Sequence, residues 1–176
     1  MKVAYADPPY LGCARKHYKH DPRHGIYDTL EGHEALIRRL VNEYPDGWAL
    51  SCTSGNLQCL LPLCPKSGVR VAAWTKPFAS FKPNVNPGYC WEPVIWCGGR
   101  QPRGRTEPTV RDYCAVNITL KKGLTGAKPE AFCTWLFSLL GLQEGDEFHD
   151  LFPGTGGVQR AWDSYVVSTR PINAAP

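Results

Sequence analysis

Residues 3–11 read VAYADPPYL, an apolar run of strand type that stops in an acid, two prolines and a tyrosine. Two prolines after a strand stiffen the backbone and remove two amide donors, so the carbonyls of Asp7 and Pro8 are presented without competing N–H groups. Tyr10 adds a planar face. An acid, a carbonyl and a ring held rigidly at a strand end suit an amino group on a flat heterocycle: two acceptors for its two N–H bonds and a surface for stacking. The tetrapeptide Asp7-Pro8-Pro9-Tyr10 by itself is equally readable as a strand followed by a proline turn.

With 176 residues and 43% hydrophobic content, the chain is long enough for one α/β domain with a substantial core, and one domain over residues 1–176 is expected. No stretch approaches the about 20 consecutive apolar residues of a membrane span, and the N-terminus lacks the basic-then-apolar pattern of a secretory signal. A soluble, cytoplasmic protein is expected. Eight cysteines are scattered through apolar segments without a zinc-type C-x-x-C pair, which favours buried free thiols. Cys13, His17, His20 and His24 could gather round a metal, but histidines in a basic loop are more often solvated, and no metal is expected.

Short apolar runs alternate with helical stretches, the pattern of a mostly parallel sheet with crossover helices. Strands are expected at Val3 to Ala6, Trp48 to Cys52, Val69 to Trp74, Pro93 to Cys97, Tyr113 to Ile118, Glu147 to Phe152 and Tyr165 to Val167. Helices fit residues 31–44, a short segment around 54–64, and 129–140, with Pro129 in the first turn. In open α/β sheets, ligands sit outside the carboxyl ends of the strands. Two places there stand out. One is Asp7 to Tyr10. The other is FHDLFPGTGGVQRAW, residues 148–162, where Asp150 is followed by Phe152, Pro153, Gly154, Thr155, Gly156 and Gly157 before a helix. Glycines there allow positive φ and close approach of a ligand to free amides, although a tight turn alone would use the same residues.

The charge is unevenly spread. Residues 13–24 and 100–111 each carry four Lys/Arg against one acid, which together exceeds the net +4 of the whole chain. Two basic loops, with Arg15, Lys16 and Lys19 in the first and Arg100, Arg103 and Arg105 in the second, point to a polyanionic partner or to a solvated surface. Both are expected to flank the Asp7 pocket.

Taken together, these motifs resemble the S-adenosylmethionine-dependent amino methyltransferases. Asp7-Pro8-Pro9-Tyr10 is similar to their catalytic tetrapeptide, whose D-P-P-Y/W form accompanies adenine N6 as target. Asp150 to Gly156 is similar to their D-x-F-x-G-x-G cofactor loop, and Lys128-Pro129 to their K-P element. The order, tetrapeptide first and glycine loop last, resembles the circularly permuted β class and the relatives of the eukaryotic mRNA adenosine methylases. Trp74-Thr75-Lys76 and Trp91-Glu92-Pro93-Val94 resemble the latter, which carry a glutamate entering the strand after a variable loop.

The resemblance implies a Rossmann-like, class I methyltransferase fold with helices on both faces of the sheet and the Asp7 strand at its centre. It implies S-adenosylmethionine as cofactor, bound by Asp7, Lys128, Asp150, Phe152, Gly154, Thr155 and Gly156. Catalysis falls to Asp7, Pro8, Pro9 and Tyr10, with the adenine of bacterial or phage DNA as substrate and a homodimer or partner subunit as a possible assembly. RNA adenine, cytosine N4 and a non-catalytic nucleic-acid-binding subunit remain open. Two features depart from the pattern. The chain has no insertion large enough for a separate recognition domain, and the usual acidic ribose partner about 20 residues after the glycine loop is not evident, with Ser168, Thr169 or Arg170 standing nearest that place.

Overall fold

The computed structural model describes residues 1–12, 24–78, 83–100, 109–118 and 127–168. Its centre is a six-stranded sheet of β1 (Lys2–Ala6), β2 (Gly47–Ser51), β3 (Val69–Thr75), β4 (Trp91–Gly98), β5 (Tyr113–Ala115) and β6 (Glu147–Asp150), in the order β5-β3-β4-β2-β1-β6. β1 runs parallel to both β2 and β6, β3 runs parallel to β5, and β4 alone is reversed, antiparallel to β2 and β3. The mostly parallel α/β sheet is as expected from the sequence. β1 and β2 are buried on both faces, which is why they read as continuous apolar runs rather than alternating ones.

Side chains alternate across the sheet and divide the core in two. On one face Val3 and Tyr5 join Ala49, Ala72, Trp74 and Val94 beneath helices α2 (Glu130–Leu140) and α3 (Gly157–Ser168). On the other, Ala4, Ala6, Trp48, Leu50 and Ile95 pack under helix α1 (Leu30–Glu43) and the short turns of residues 54–63. Helix α1 starts where the Thr29 hydroxyl accepts from Gly32 N–H at 3.2 Å, and it buries Leu36, Ile37 and Leu40. A Cβ on Gly32 would lie 1.8 Å from the Ile26 carbonyl oxygen, so only glycine lets the preceding turn close onto the helix. Helix α2 buries Phe132, Cys133, Leu136, Phe137 and Leu140 and ends at Gly141, at φ 64°. Pro129 is its N-cap, one residue before the first turn.

Three expectations need correction. Tyr165 to Val167 is not a strand but the last part of α3: Val158, Ala161, Trp162 and Tyr165 form one i, i+3, i+4, i+7 stripe, with Trp162 and Tyr165 stacked at 5.9 Å. The β-branched pair Val166-Val167 imitated a strand, and packing against Phe137 overrode it. β1 is not central but fifth of six, because β6 is followed by a helix and no described strand lies beyond it. The strands after Tyr113 and Glu147 stop earlier than expected, at Ala115 and Asp150.

Among the described residues no helix is long and apolar enough to cross a membrane, and no group of three or more His, Cys, Asp or Glu could hold a metal. Cys13, His17 and His20 and the side chain of His24 lie outside the described residues. Seven described cysteines are free, and burial pushes the thiols of Cys52, Cys114 and Cys133 up to about 12.

Candidate active site

The carboxyl end of β1 carries the tetrapeptide, and the register decides what surrounds it. Tyr5 pairs with Asp150 across β1 and β6, and Trp74 pairs with Glu92 across β3 and β4. Alternation places Tyr5, Asp7, Asp150, Trp74 and Glu92 on the α2–α3 face, at the edge where β1 and β6 end and β4 begins. Lys128, just before α2, reaches the same face through Asp7. Segments distant from one another in sequence thus meet at one edge of the sheet.

Asp7 and Glu92 are bridged by Lys128. Its Nζ donates to Asp7 Oδ2 at 2.7 Å and stands 3.7 Å from Glu92 Oε2, with the lysine side chain only 5% exposed. Lys76 Nζ donates to Glu92 Oε1 from the other side. Tyr10 donates its hydroxyl hydrogen to Glu92 Oε2 at 2.8 Å, and the same hydroxyl lies 3.3 Å from Asp7 Oδ1 and 3.4 Å from Lys128 Nζ. Beside the two ammonium groups lies the buried Trp74 ring, 4.7 Å from Lys76 Nζ and 5.6 Å from Lys128 Nζ. Two carboxylates and two lysines make a balanced cluster, which is how such charges persist in a low-dielectric site.

The charges are tuned unequally. Burial raises the Asp7 carboxyl above its ordinary value, by more than the neighbouring Lys128 lowers it. Burial would also raise Glu92, but Lys128 and Lys76 together outweigh it and hold that carboxyl below the usual range. Burial, with Asp7 and Glu92 nearby, keeps the Tyr10 phenol protonated well above its ordinary value. Glu92 is therefore the fixed anion of the cluster, Tyr10 a permanent donor and Asp7 the carboxyl that burial pushes up.

Asp150 stands beside Asp7 with a different set of contacts. Its Oδ1 accepts from the Phe152 N–H at 3.1 Å, while Oδ2 is buried and has no partner among the described residues. Burial, reinforced by the Asp7 charge, pushes the carboxyl up to about 6. The turn that follows brings the Gly156 nitrogen within 2.6 Å of the Pro153 carbonyl oxygen, with Gly154 and Gly156 at φ 48° and 73°, and α3 begins at Gly157. The Phe152 ring packs edge-on against Tyr27, 4.9 Å between centroids, and Thr155 is exposed, its carbonyl accepting from Arg160 at 2.8 Å. An orphaned carboxylate oxygen beside a glycine turn leaves an acceptor and an open backbone for a ligand carrying positive charge.

Asp7, Pro8, Pro9, Tyr10, Lys128, Asp150, Phe152, Gly154, Thr155 and Gly156 thus all lie at the carboxyl ends of the two neighbouring strands β1 and β6 or beside them. Glu92 and Lys76 complete the cluster without having been among the candidate residues. The signal in the sequence was an acid entering an otherwise apolar strand, Trp91-Glu92-Pro93-Val94. The basic loops fare differently. Arg15, Lys16, Lys19, Arg103 and Arg105 lie outside the described residues. Arg100 follows the reversed strand β4 and so emerges at the opposite edge of the sheet. There it binds both Asp146 carboxylate oxygens at 2.7 Å and the Gly141 carbonyl at 3.1 Å, beside the N-terminal ammonium on Asp146. The expectation that Arg100 flanks the Asp7 pocket is corrected by that reversal.

No protein-family profile and no curated protein matches the sequence. Solved structures do. M1.HpyAVI in complex with SAM superposes with a TM-score of 0.59 at 16% identity, over 93% of this chain and 77% of that one. The chain shares its fold. A second structure of M1.HpyAVI gives 0.56 at 16% identity, over 93% and 76%. TTHA0409 of Thermus thermophilus, described as a candidate DNA modification methylase, gives 0.52 at 16% identity, over 94% and 77%.

Proposed function

We propose that the protein transfers a methyl group from S-adenosylmethionine to the exocyclic N6 amine of adenine in DNA. The observation that carries this is the arrangement of Asp7 and Asp150 on neighbouring strand ends, one within the D-P-P-Y stretch and the other opening a glycine turn with an unpartnered buried oxygen. The fold shared with M1.HpyAVI, a protein solved with SAM, and with a candidate DNA modification methylase supports it. The resemblance to permuted amino methyltransferases, with the tetrapeptide first in the chain, agrees with the same reading.

The residues fit the cofactor. Asp150 offers Oδ2 to its positive charge, the turn from Phe152 to Gly156 offers backbone approach, and Lys128 and Asp7 border the same space. When bound, S-adenosylmethionine would supply a methyl group on a sulfonium sulfur, leaving a neutral thioether as the methyl passes to N6 while N6 gives up one proton by way of Asp7 Oδ1 to water. The chain supplies positioning. Adenine N6 is a poor nucleophile because its lone pair is delocalised into the ring. Asp7 Oδ2 is occupied by Lys128, so Oδ1, held only loosely by Tyr10, is the oxygen that accepts one amine hydrogen, and the Pro8 carbonyl accepts the other. That pair of acceptors favours a pyramidal nitrogen whose lone pair points away from them. Tyr10, fixed through its hydroxyl by Glu92, presents its ring to the base. In a duplex the base must leave the stack to reach this edge.

The test is incubation with labelled S-adenosylmethionine and separate DNA and RNA pools, followed by nucleoside analysis. Label in N6-methyladenine from DNA is expected. Label in RNA adenine or in N4-methylcytosine would move the substrate. Cofactor binding without any transfer would favour a non-catalytic subunit.

A further inference from the structure

The connection between β3 and β4 has a composition that the active site, apart from Lys76, does not use. Residues 76–91, KPFASFKPNVNPGYCW, contain two lysines, four aromatic rings and no acid. Lys76 N–H donates to the Cys90 carbonyl at 2.7 Å and closes the base of this hairpin, and Phe78 N–H donates to Asn117 Oδ1 at 3.0 Å, fixing the outgoing arm beside the end of β5. Despite those anchors Phe78 and Tyr89 are 60% and 62% exposed. Both arms leave directly from the active-site cluster. Phe78 is two residues from Lys76 and Tyr89 three from Glu92, so their Cα atoms lie within roughly 7 and 11 Å of those residues along the chain.

We propose that Phe78 and Tyr89 form a stacking surface for unpaired bases that flank the target base. The inference rests on the proposed function for its location and names the face by which the substrate is held. Exposed rings on an acid-free segment beside the proposed methyl-transfer site match a ligand with flat faces, and on the proposed function that ligand is a nucleic acid strand. Each base has a π face, so the contact tolerates sequence while adding affinity. A protein partner would have to bring a complementary acidic, apolar face to rings that border the reaction site itself.

The experiment compares the wild type with the Phe78→Ala/Tyr89→Ala double variant and with the ring-keeping Phe78→Tyr/Tyr89→Phe double variant. Binding of a short labelled single-stranded DNA, the RNA of the same sequence and the DNA duplex is followed by anisotropy, cofactor binding by calorimetry, and oligomeric state by sedimentation. The alanine variant should bind single strands about tenfold more weakly per ring lost, the ring-keeping variant should bind like the wild type, and cofactor affinity should not change. A loss on DNA, on RNA or on both supports the stacking surface and identifies its ligand. Unchanged affinity in the alanine variant overturns it, and so does wild type that binds no oligonucleotide. A loss accompanied by conversion of a dimer to a monomer also overturns it, assigning the rings to a second copy. If the wild type binds strands through these rings but transfers no methyl group, the proposed function fails while the stacking surface stands.

Discussion

Lys128 holds Asp7 and Glu92 at once, and at Asp7 that contact opposes the larger effect of burial. On the proposed function Asp7 must be ionised to accept the amine, and burial has already raised its carboxyl against the pull of Lys128. Methyl transfer should therefore fall as pH drops through that raised value. Replacing Lys128 by Met removes the lowering influence, so the acid limb of the pH–rate profile should move to higher pH; an unmoved limb in a folded variant would show that Lys128 does not govern Asp7. Breaking the buried pair also leaves two carboxylates short of a cation, at a cost of about 3 kcal/mol in stability, which Lys128→Arg should largely restore. Asp7→Ala should abolish transfer while the circular dichroism spectrum keeps its folded shape, with a lower melting temperature because Lys128 loses its partner. Tyr10→Ala should be severe. Tyr10→Phe keeps the stacking ring but strips Glu92 of a donor, so it should lie between the wild type and the alanine variant in kcat. Equal rates for Tyr10→Phe and Tyr10→Ala would mean the ring contributes nothing.

At the level of elements, most of the architecture was legible because β1 and β2 are fully buried and α1 and α2 carry unbroken apolar stripes. The helix expected after Gly157 is present, but its last part reads as a strand: Val158, Ala161, Trp162 and Tyr165 have helical spacing, while the β-branched pair that follows has the stronger strand preference. The direction of β4 had no local signal, since a reversed strand buries the same residues as a parallel one, and with it went the position of Arg100. Glu92 needed the fold too, because only the pairing of Trp74 with Glu92 brings it over to Lys128. Arg100→Ala tests that placement. Burial would raise Asp146, but its hydrogen bonds from the N-terminal ammonium and Arg100 hold it below the usual range, so removing the guanidinium should lower stability by about 2 kcal/mol. Oligonucleotide affinity and its salt slope should not change. A flattened salt slope with unchanged melting would return Arg100 to the phosphate-contacting set.

For the whole molecule, the sheet gathers Asp7, Glu92, Lys76 and Lys128 at one edge and leaves Asp150 buried there, its Oδ2 without a partner among the described residues. Its carboxyl titrates at about 6 in the folded protein against 3.8 for an ordinary aspartate. A raised folded value means that the native state holds its proton longer than the unfolded chain, so the stability present below about pH 4 is lost as pH rises through about 6. Melting temperature should fall between about pH 4 and 7 in the wild type and fall less in Asp150→Asn; parallel curves for the two proteins would show that Asp150 is not the group responsible. A site that costs stability near neutrality is understandable where a cation binds, and cofactor should restore part of the loss at neutral pH. The most direct measurement of the central claim is transfer itself: purified protein, labelled S-adenosylmethionine and unmethylated DNA, with the nucleosides separated afterwards. The account predicts label in N6-methyladenine for the wild type and none for Asp7→Ala. Label in N4-methylcytosine, or equal N6 labelling by Asp7→Ala, would contradict it.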